Sequence, residues 1–128
     1  MPMPAESRPI SFVLSRDPAA LKPFYGDVLG LSLIGEDGFA IAYDLGDGAM
    51  LRLTALPSHQ PAPHTAFGWS VPDIAAAVAD LRAKGVAFKI YEGFAQNSDG
   101  IWTAPGGGAK VAWFPDPEGN LLSLTQFS

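Results

Sequence analysis

The hydrophobic pattern of the chain occurs twice. In the first copy the apolar segment ISFVLS precedes an amphipathic segment over 17–30, and in the second TAFGWSV precedes one over 73–85. Each amphipathic segment begins with Asp, repeats apolar residues at helical spacing and ends with Gly. Asp suits a helix N-cap, and Gly suits the left-handed position after the last turn. The sequence therefore predicts two similar halves, each with a strand followed by a helix.

The rest of the pattern predicts further strands in each half. They cover 31–35, 39–45 and 49–56 in the first half, and 87–91, 101–104, 110–114 and 121–127 in the second. Because Pro23 lacks an N–H, we expect a break near Lys22 and a regular helix from Pro23 onward. The predicted fold is α+β: two βαβββ modules that form a cup-shaped, mixed, mainly antiparallel sheet. One domain over 1–128 comprises a first half at 8–56, a linker at 57–63 and a second half at 64–128.

Composition narrows the classes of function. The 128 residues include no cysteine, which excludes disulfides and zinc–thiolate sites. The net charge of −5 argues against a nucleic-acid partner, since such affinity comes mostly from Lys and Arg. No apolar run approaches the roughly 20 residues that span a bilayer, and the N-terminal residues do not resemble a signal peptide. We therefore expect a cytoplasmic protein without a membrane partner.

Three stretches carry a resemblance to a known family: RDPAALKPFYGDVLGLSL, VPDIAAAVADLRAKGVAF and KVAWFPDPEGNLLSLTQ. They resemble the vicinal oxygen chelate superfamily, which includes glyoxalase I, extradiol dioxygenases and the fosfomycin and bleomycin resistance proteins. The resemblance implies the paired-module fold. In metal-dependent members, it also implies His or Glu ligands on the first and last strands of each half.

The positions implied for metal ligands carry unsuitable residues. They correspond to Ile10, Arg52, Ala66 and Ser123. Ile and Ala cannot coordinate a cation, a neutral Ser hydroxyl is a poor ligand, and Arg stays protonated. A single histidine, His64, lies two residues before Ala66 and would share its face of the strand. We therefore expect no metal, no cofactor and no catalytic residue.

Strand alternation instead predicts a mostly apolar pocket with a few polar points. The candidate ligand-binding residues are Phe12, Met50, Arg52, Thr54, His64, Trp102 and Ser123. Arg52 would hold an anion if it faces a cavity, and otherwise would pair with a nearby carboxylate or reach solvent. Trp102, with Tyr91 and Phe94, would form either a lid or packing in the core or a dimer interface.

Two functions follow from this pattern. The first is metal-free binding of a small organic molecule, similar to the bleomycin resistance proteins, which bind their drug without a reaction and are dimers. The second is a divalent-metal-dependent lyase, isomerase or dioxygenase whose ligands are not recognised. A noncatalytic role in a larger assembly is a third possibility. The resemblance implies a homodimer, and the acidic balance is compatible with a cationic ligand, whereas Arg52 favours an anionic one.

Overall fold

The computed structural model describes residues 2–128 and divides into two compact units. The first unit ends at Gln60, and the second extends from Pro61 to Ser128. Their boundary lies within the segment 57–63 that the sequence predicts as a linker. Each unit contains one four-stranded sheet and is described below by itself.

The first unit follows the predicted order of elements. It contains β1 (Ile10–Ser15), α1 (Pro18–Pro23), a π-helical turn (Phe24–Val28), β2 (Ser32–Glu36), β3 (Ala40–Gly46) and β4 (Ala49–Ala55). The strand order across the sheet is β1-β4-β3-β2. β1 runs parallel to β4, and the other neighbouring strands are antiparallel.

The second unit repeats this arrangement. It contains β5 (Thr65–Ser70), α2 (Ile74–Ala83), β6 (Trp102–Thr103), β7 (Ala109–Pro115) and β8 (Leu121–Phe127). The strand order is β5-β8-β7-β6, with β5 parallel to β8. The prediction of an α+β fold with two βαβββ modules is confirmed. Among the described residues, no helix is both long and apolar enough to cross a membrane.

Each sheet buries one face against its own helix. Alternation along β4 and β8 places every second side chain on that face, and these side chains are almost completely buried. In the first unit they are Leu51 and Leu53, together with Val13 of β1, and in the second Leu122 and Leu124, together with Ala112 and Phe114 of β7. The opposite face of each sheet has no helix of its own unit over it. We call this the helix-free face.

The prediction of a regular helix from Pro23 onward is wrong. The α-helix begins at Pro18 and ends at Pro23, and the chain continues as a π-helical turn over Phe24–Val28. Pro23 has no N–H to donate to the preceding turn, so the regular ladder of hydrogen bonds is interrupted there. The Leu29 N–H then donates to the Phe24 carbonyl at 2.9 Å, which closes the wider turn.

The predicted strand over 87–91 is also wrong, because a side chain takes the place of a neighbouring strand. Gln96 Oε1 accepts from the Tyr91 N–H at 2.6 Å, and Gln96 Nε2 donates to the carbonyls of Lys89 and Gly100. One backbone bond, from the Lys89 N–H to the Trp113 carbonyl, joins this segment to β7. The segment is therefore a loop fixed to the edge of the sheet.

The predicted helix ends are present with one difference. Asp73 Oδ1 accepts from the Ala76 N–H at 3.1 Å and so caps α2, whereas Asp17 makes no side-chain capping bond to α1. Gly30 and Gly85 have φ values of 75° and 94°. Both lie in the left-handed region that favours glycine after a helix.

The DPEGN segment forms a tight turn before β8 through the buried Asp116. Asp116 Oδ1 accepts from the N–H groups of Glu118, Gly119 and Asn120 at 2.9–3.0 Å. The Asn120 side chain donates to Asp116 Oδ2 at 2.9 Å. One carboxylate thus satisfies four donors and fixes the register at which β8 begins.

We predict that Asp116→Ala lowers the free energy of unfolding by about 2–4 kcal/mol, because four donors, including the two buried donors of Asn120, lose the carboxylate as acceptor. Urea denaturation measures the loss. Asp116→Asn is the matched control, since its amide oxygen still accepts from the three backbone N–H groups, and it should cost less. Equal stability of Asp116→Ala and the wild type would contradict this role of the turn.

β5 and β8 approach each other closely at Gly68. A Cβ at this position would overlap Ser123 Oγ and would lie 2.9 Å from the Ser123 carbonyl oxygen. The two residues are register partners in the parallel pair. Glycine at position 68 therefore leaves the space that the Ser123 side chain occupies.

We predict that Gly68→Ala destabilises the fold by about 1–3 kcal/mol through this overlap. Adding Ser123→Ala should recover part of the loss, because the hydroxyl is removed while the carbonyl oxygen remains. A double-mutant cycle in urea measures the coupling. Strictly additive effects would show that the two side chains do not share this space.

Candidate functional site

The first unit brings four of the predicted site residues together on its helix-free face. Phe12 and Arg52 are register partners on β1 and β4, and Met50 and Thr54 lie on either side of Arg52 on the same face. Phe12 is 58% exposed, and the other three side chains are half-buried. The surface is thus apolar around one guanidinium.

Arg52 has a carboxylate partner. Its Nη2 lies 3.7 Å from Asp37 Oδ2. Asp37 Oδ1 accepts from the N–H groups of Phe39 and Ala40 at 2.7 and 3.0 Å, and these bonds hold the carboxylate in place. Of the alternatives left open for Arg52, the structure therefore contains the ion pair. A ligand anion would compete with Asp37 for this guanidinium.

The second unit carries a cluster of four aromatic side chains, Tyr91, Phe94, Trp102 and Trp113, which we call the aromatic cluster. Trp113 contacts each of the other three rings at centroid distances of 5.6–6.1 Å. Alternation places Trp113 on the helix-free face, since its neighbours Ala112 and Phe114 are fully buried on the other face. Phe94 is 45% exposed, and the other three rings are half-buried.

Ser123 lies beside the aromatic cluster, whereas His64 is not part of it. Ser123 is the register partner of both Gly68 and Trp113, and it is only 8% exposed. His64 is exposed just before β5, with Nδ1 3.4 Å from the Thr65 carbonyl oxygen. Of the three candidates in this unit, Trp102 and Ser123 therefore share a surface.

Sequence reasoning missed Trp113 and Gln96. The alternation in KVAWFP was the available signal for Trp113, because it separates this side chain from the buried Ala112 and Phe114. No comparable signal existed for Gln96, whose three hydrogen bonds join residues up to seven positions away. Those bonds give the aromatic cluster a fixed loop on which Tyr91 and Phe94 are carried.

A cleft of about 450 Å³ lies on the other side of the second sheet, near the start of α2. Its lining includes Asp73, Asn97, Lys110 and Gln126. The Gln126 amide oxygen accepts from the Ile74 N–H, and Asn97 Oδ1 accepts from two backbone N–H groups. These side chains support the backbone of the α2 start and the loop. The cleft is separate from the aromatic cluster.

The donor set does not fit the divalent metal that the fold family implies. Ile10 and Ala66 have no coordinating atom, and the Arg52 guanidinium faces a carboxylate that already neutralises it. Across residues 2–128, no three His, Asp or Glu side chains are grouped in a way that could hold a metal ion.

The Asp37 carboxyl, the ion-pair partner of Arg52, has a shifted pKa. Hydrogen bonds from Phe39 and Ala40 hold its pKa below the ordinary value of 3.8, and Arg52 lowers it further by a smaller amount. Because the pKa of Asp37 is lower in the folded protein than in the unfolded chain, the ionised carboxylate stabilises the fold at pH values above the unfolded-state pKa. This stabilisation is lost as pH falls through the folded-state pKa.

We predict that the pKa of Asp37 stays below 3.8 in Arg52→Ala, because the backbone donors are its main cause. An NMR titration of the Asp37 carboxyl carbon measures it, and the wild type provides the reference. A return to 3.8 in Arg52→Ala would show that the ion pair, rather than the two N–H groups, dominates.

Solved structures of the same fold are numerous. One is TnmS3, an antibiotic binding protein from Streptomyces sp. CB03234, with 23% identity, a TM-score of 0.75, and coverage of 98% of this chain and 99% of that one. Another is a lactoylglutathione lyase from Agrobacterium tumefaciens, with 18% identity, a TM-score of 0.71, and coverage of 96% and 95%. At such identities the likeness shows the fold alone.

A glyoxalase/bleomycin resistance protein/dioxygenase from Alicyclobacillus acidocaldarius is also similar, with 18% identity, a TM-score of 0.71, and coverage of 98% and 95%. No curated protein matches the chain. The model of the Glyoxalase/Bleomycin resistance protein/Dioxygenase superfamily matches residues 11–124. Because this match spans most of the sequence, the protein belongs to the Glyoxalase/Bleomycin resistance protein/Dioxygenase superfamily.

Proposed function

We propose that this protein binds a small organic molecule without a metal ion, on a helix-free sheet face. The observation that carries the proposal is the aromatic cluster, whose rings are partly exposed on the helix-free face of the second sheet. Covering apolar surface is favourable by roughly 25 cal/mol per Å², so rings left partly in water are a source of binding free energy.

The first unit supports the same proposal with a second apolar surface. Ile10 and Phe12 are 46% and 58% exposed on its helix-free face, beside Met50 and Thr54. Arg52 supplies a polar point whose charge Asp37 already balances. The ligand-binding set proposed here keeps Phe12, Met50, Arg52, Thr54, Trp102 and Ser123, and also keeps His64 as a polar residue near β5.

A metal-free mode follows from the residues at the implied ligand positions, which offer two aliphatic side chains, a hydroxyl and a guanidinium. The similarity to an antibiotic binding protein of this fold is consistent with binding of a small organic molecule. We also propose a cytoplasmic homodimer, on the sequence features and the resemblance. Light scattering on purified protein tests the dimer, and a monomer at micromolar concentration would refute it.

We predict that a thermal-shift screen of uncharged and charged small organic molecules finds ligands that raise Tm by several degrees. A ligand at about 100 times its Kd stabilises the folded state by about 2.7 kcal/mol, which is sufficient for such a shift. Divalent metal salts form the comparison arm of the screen, and elemental analysis of protein purified without chelators accompanies it.

The screen also tests the alternative of a divalent-metal-dependent lyase, isomerase or dioxygenase. One ion per chain, together with a Tm that rises with that ion, would overturn the metal-free proposal in favour of the alternative. Stabilisation by organic molecules alone, with substoichiometric metal, would support the proposal. Failure of every organic molecule to stabilise the protein would count against it.

A further inference from the structure

The aromatic cluster has a geometry that restricts what can bind to it. Tyr91 and Phe94 meet Trp113 edge-on, with interplanar angles of 83° and 79°, whereas Trp102 is tilted by 41° at 6.1 Å. Phe94 and Trp102 are also in contact at 6.2 Å. Two indoles and two six-membered rings thus form one continuous aromatic surface on the helix-free face of the second sheet.

This surface is held in place before any ligand arrives. Trp113 and Trp102 belong to β7 and β6, which pair with each other. Tyr91 and Phe94 lie on the loop whose backbone groups Gln96 binds at 2.6–2.9 Å. A preorganised surface loses little conformational entropy on binding.

Ser123 supplies one polar group next to this surface. The residue is only 8% exposed, and within residues 2–128 its hydroxyl makes no hydrogen bond. In the described chain, every side-chain oxygen or nitrogen that is fully shielded from solvent has a hydrogen-bond partner. Since the Ser123 hydroxyl has none, it is still accessible to solvent. A ligand that covers the surface would exclude solvent from the Ser123 hydroxyl. The ligand must then form the hydrogen bond that water would otherwise make with this hydroxyl.

The charges of the second unit disfavour a negatively charged ligand. Four Lys or Arg and six Asp or Glu residues between 61 and 128 give a formal charge of −2. The aromatic cluster itself contains no charged side chain, and Glu92 lies between Tyr91 and Phe94 in the sequence. The faces of aromatic rings carry negative potential, which attracts cations and repels anions.

From these observations we infer that the aromatic cluster binds a planar aromatic ligand without negative charge, which carries at its edge a group that hydrogen-bonds to Ser123. The inference rests on the proposed function and names the ligand class of that site. Rings of this kind gain from stacking or edge contact with Trp102 and Trp113, whereas a puckered aliphatic ligand of equal size does not.

Four related probes separate the parts of this inference. Naphthol is planar, uncharged and carries a hydroxyl group. Decahydronaphthol keeps the hydroxyl but is not planar, naphthalene is planar but has no hydroxyl, and naphthoate is planar but negatively charged. NMR titration of the indole N–H signals reports binding at each of the three tryptophans separately.

We predict that naphthol shifts the signals of Trp102 and Trp113 and leaves that of Trp69 unchanged. Trp69 lies on the other face of the sheet, where it contacts Phe67 with ring centroids 4.8 Å apart. Naphthol should bind about ten-fold or more tightly than decahydronaphthol and naphthoate. Equal affinity for the planar and saturated probes, or equal shifts of all three indoles, would overturn the inference.

Variants test the assigned residues. Trp102→Leu should weaken naphthol binding about ten-fold or more, whereas Trp69→Leu, which lies outside the aromatic cluster, should leave it unchanged. Ser123→Ala should weaken naphthol several-fold but not naphthalene, which has no group for the hydroxyl. If Trp113→Leu does not fold, Trp102→Leu and Phe94→Leu carry the same test.

The outcome also distinguishes this inference from the proposed function. If the thermal-shift screen finds a nonplanar ligand whose affinity is unchanged in Trp102→Leu and Ser123→Ala, this inference is wrong and the proposed function stands. If the screen finds no organic ligand and the four probes also fail to bind, both are wrong.

Discussion

The structure depends on the one-sided burial of each sheet. Leu51 and Leu53 in the first unit, and Phe114 and Leu122 in the second, are completely shielded from solvent. Since side chains alternate along a strand, this burial commits every intervening residue to the opposite face. A shift of register by one residue would exchange the two faces. The hydrophobic core therefore determines the residues that are available to a ligand.

Much of this arrangement could be predicted from the sequence because it is local and periodic. The repeated strand and helix, the capping Asp73 and the turn at Asp116 all depend on residues within a few positions of one another. The same is true of the faces of β4 and β8, which follow from alternation alone. Such features need no knowledge of the partner strands.

The features that sequence reasoning missed depend on contacts between residues that are further apart in the sequence, or on the N–H that proline lacks. The regular helix expected from Pro23 is replaced by a π-helical turn, because the missing N–H breaks the ladder and the chain closes a wider bond instead. The segment 87–91 has the composition of a strand, yet Gln96 captures its backbone groups. Trp113 belongs to the aromatic cluster only through its contacts with Tyr91 and Phe94 on the loop and with Trp102 on β6.

The contact between Gly68 and Ser123 limits which side chains fit at position 123. The Ser123 side chain is accommodated by the missing Cβ across the strand pair, so the volumes at the two positions are linked. A longer acidic side chain at position 123 would have to share this space. It would lie beside the indole of Trp113, the register partner of Ser123, and, within the described residues, not beside further side chains that could bind a metal ion. Placing a longer side chain at position 123 would therefore require a compensating replacement on the neighbouring strands.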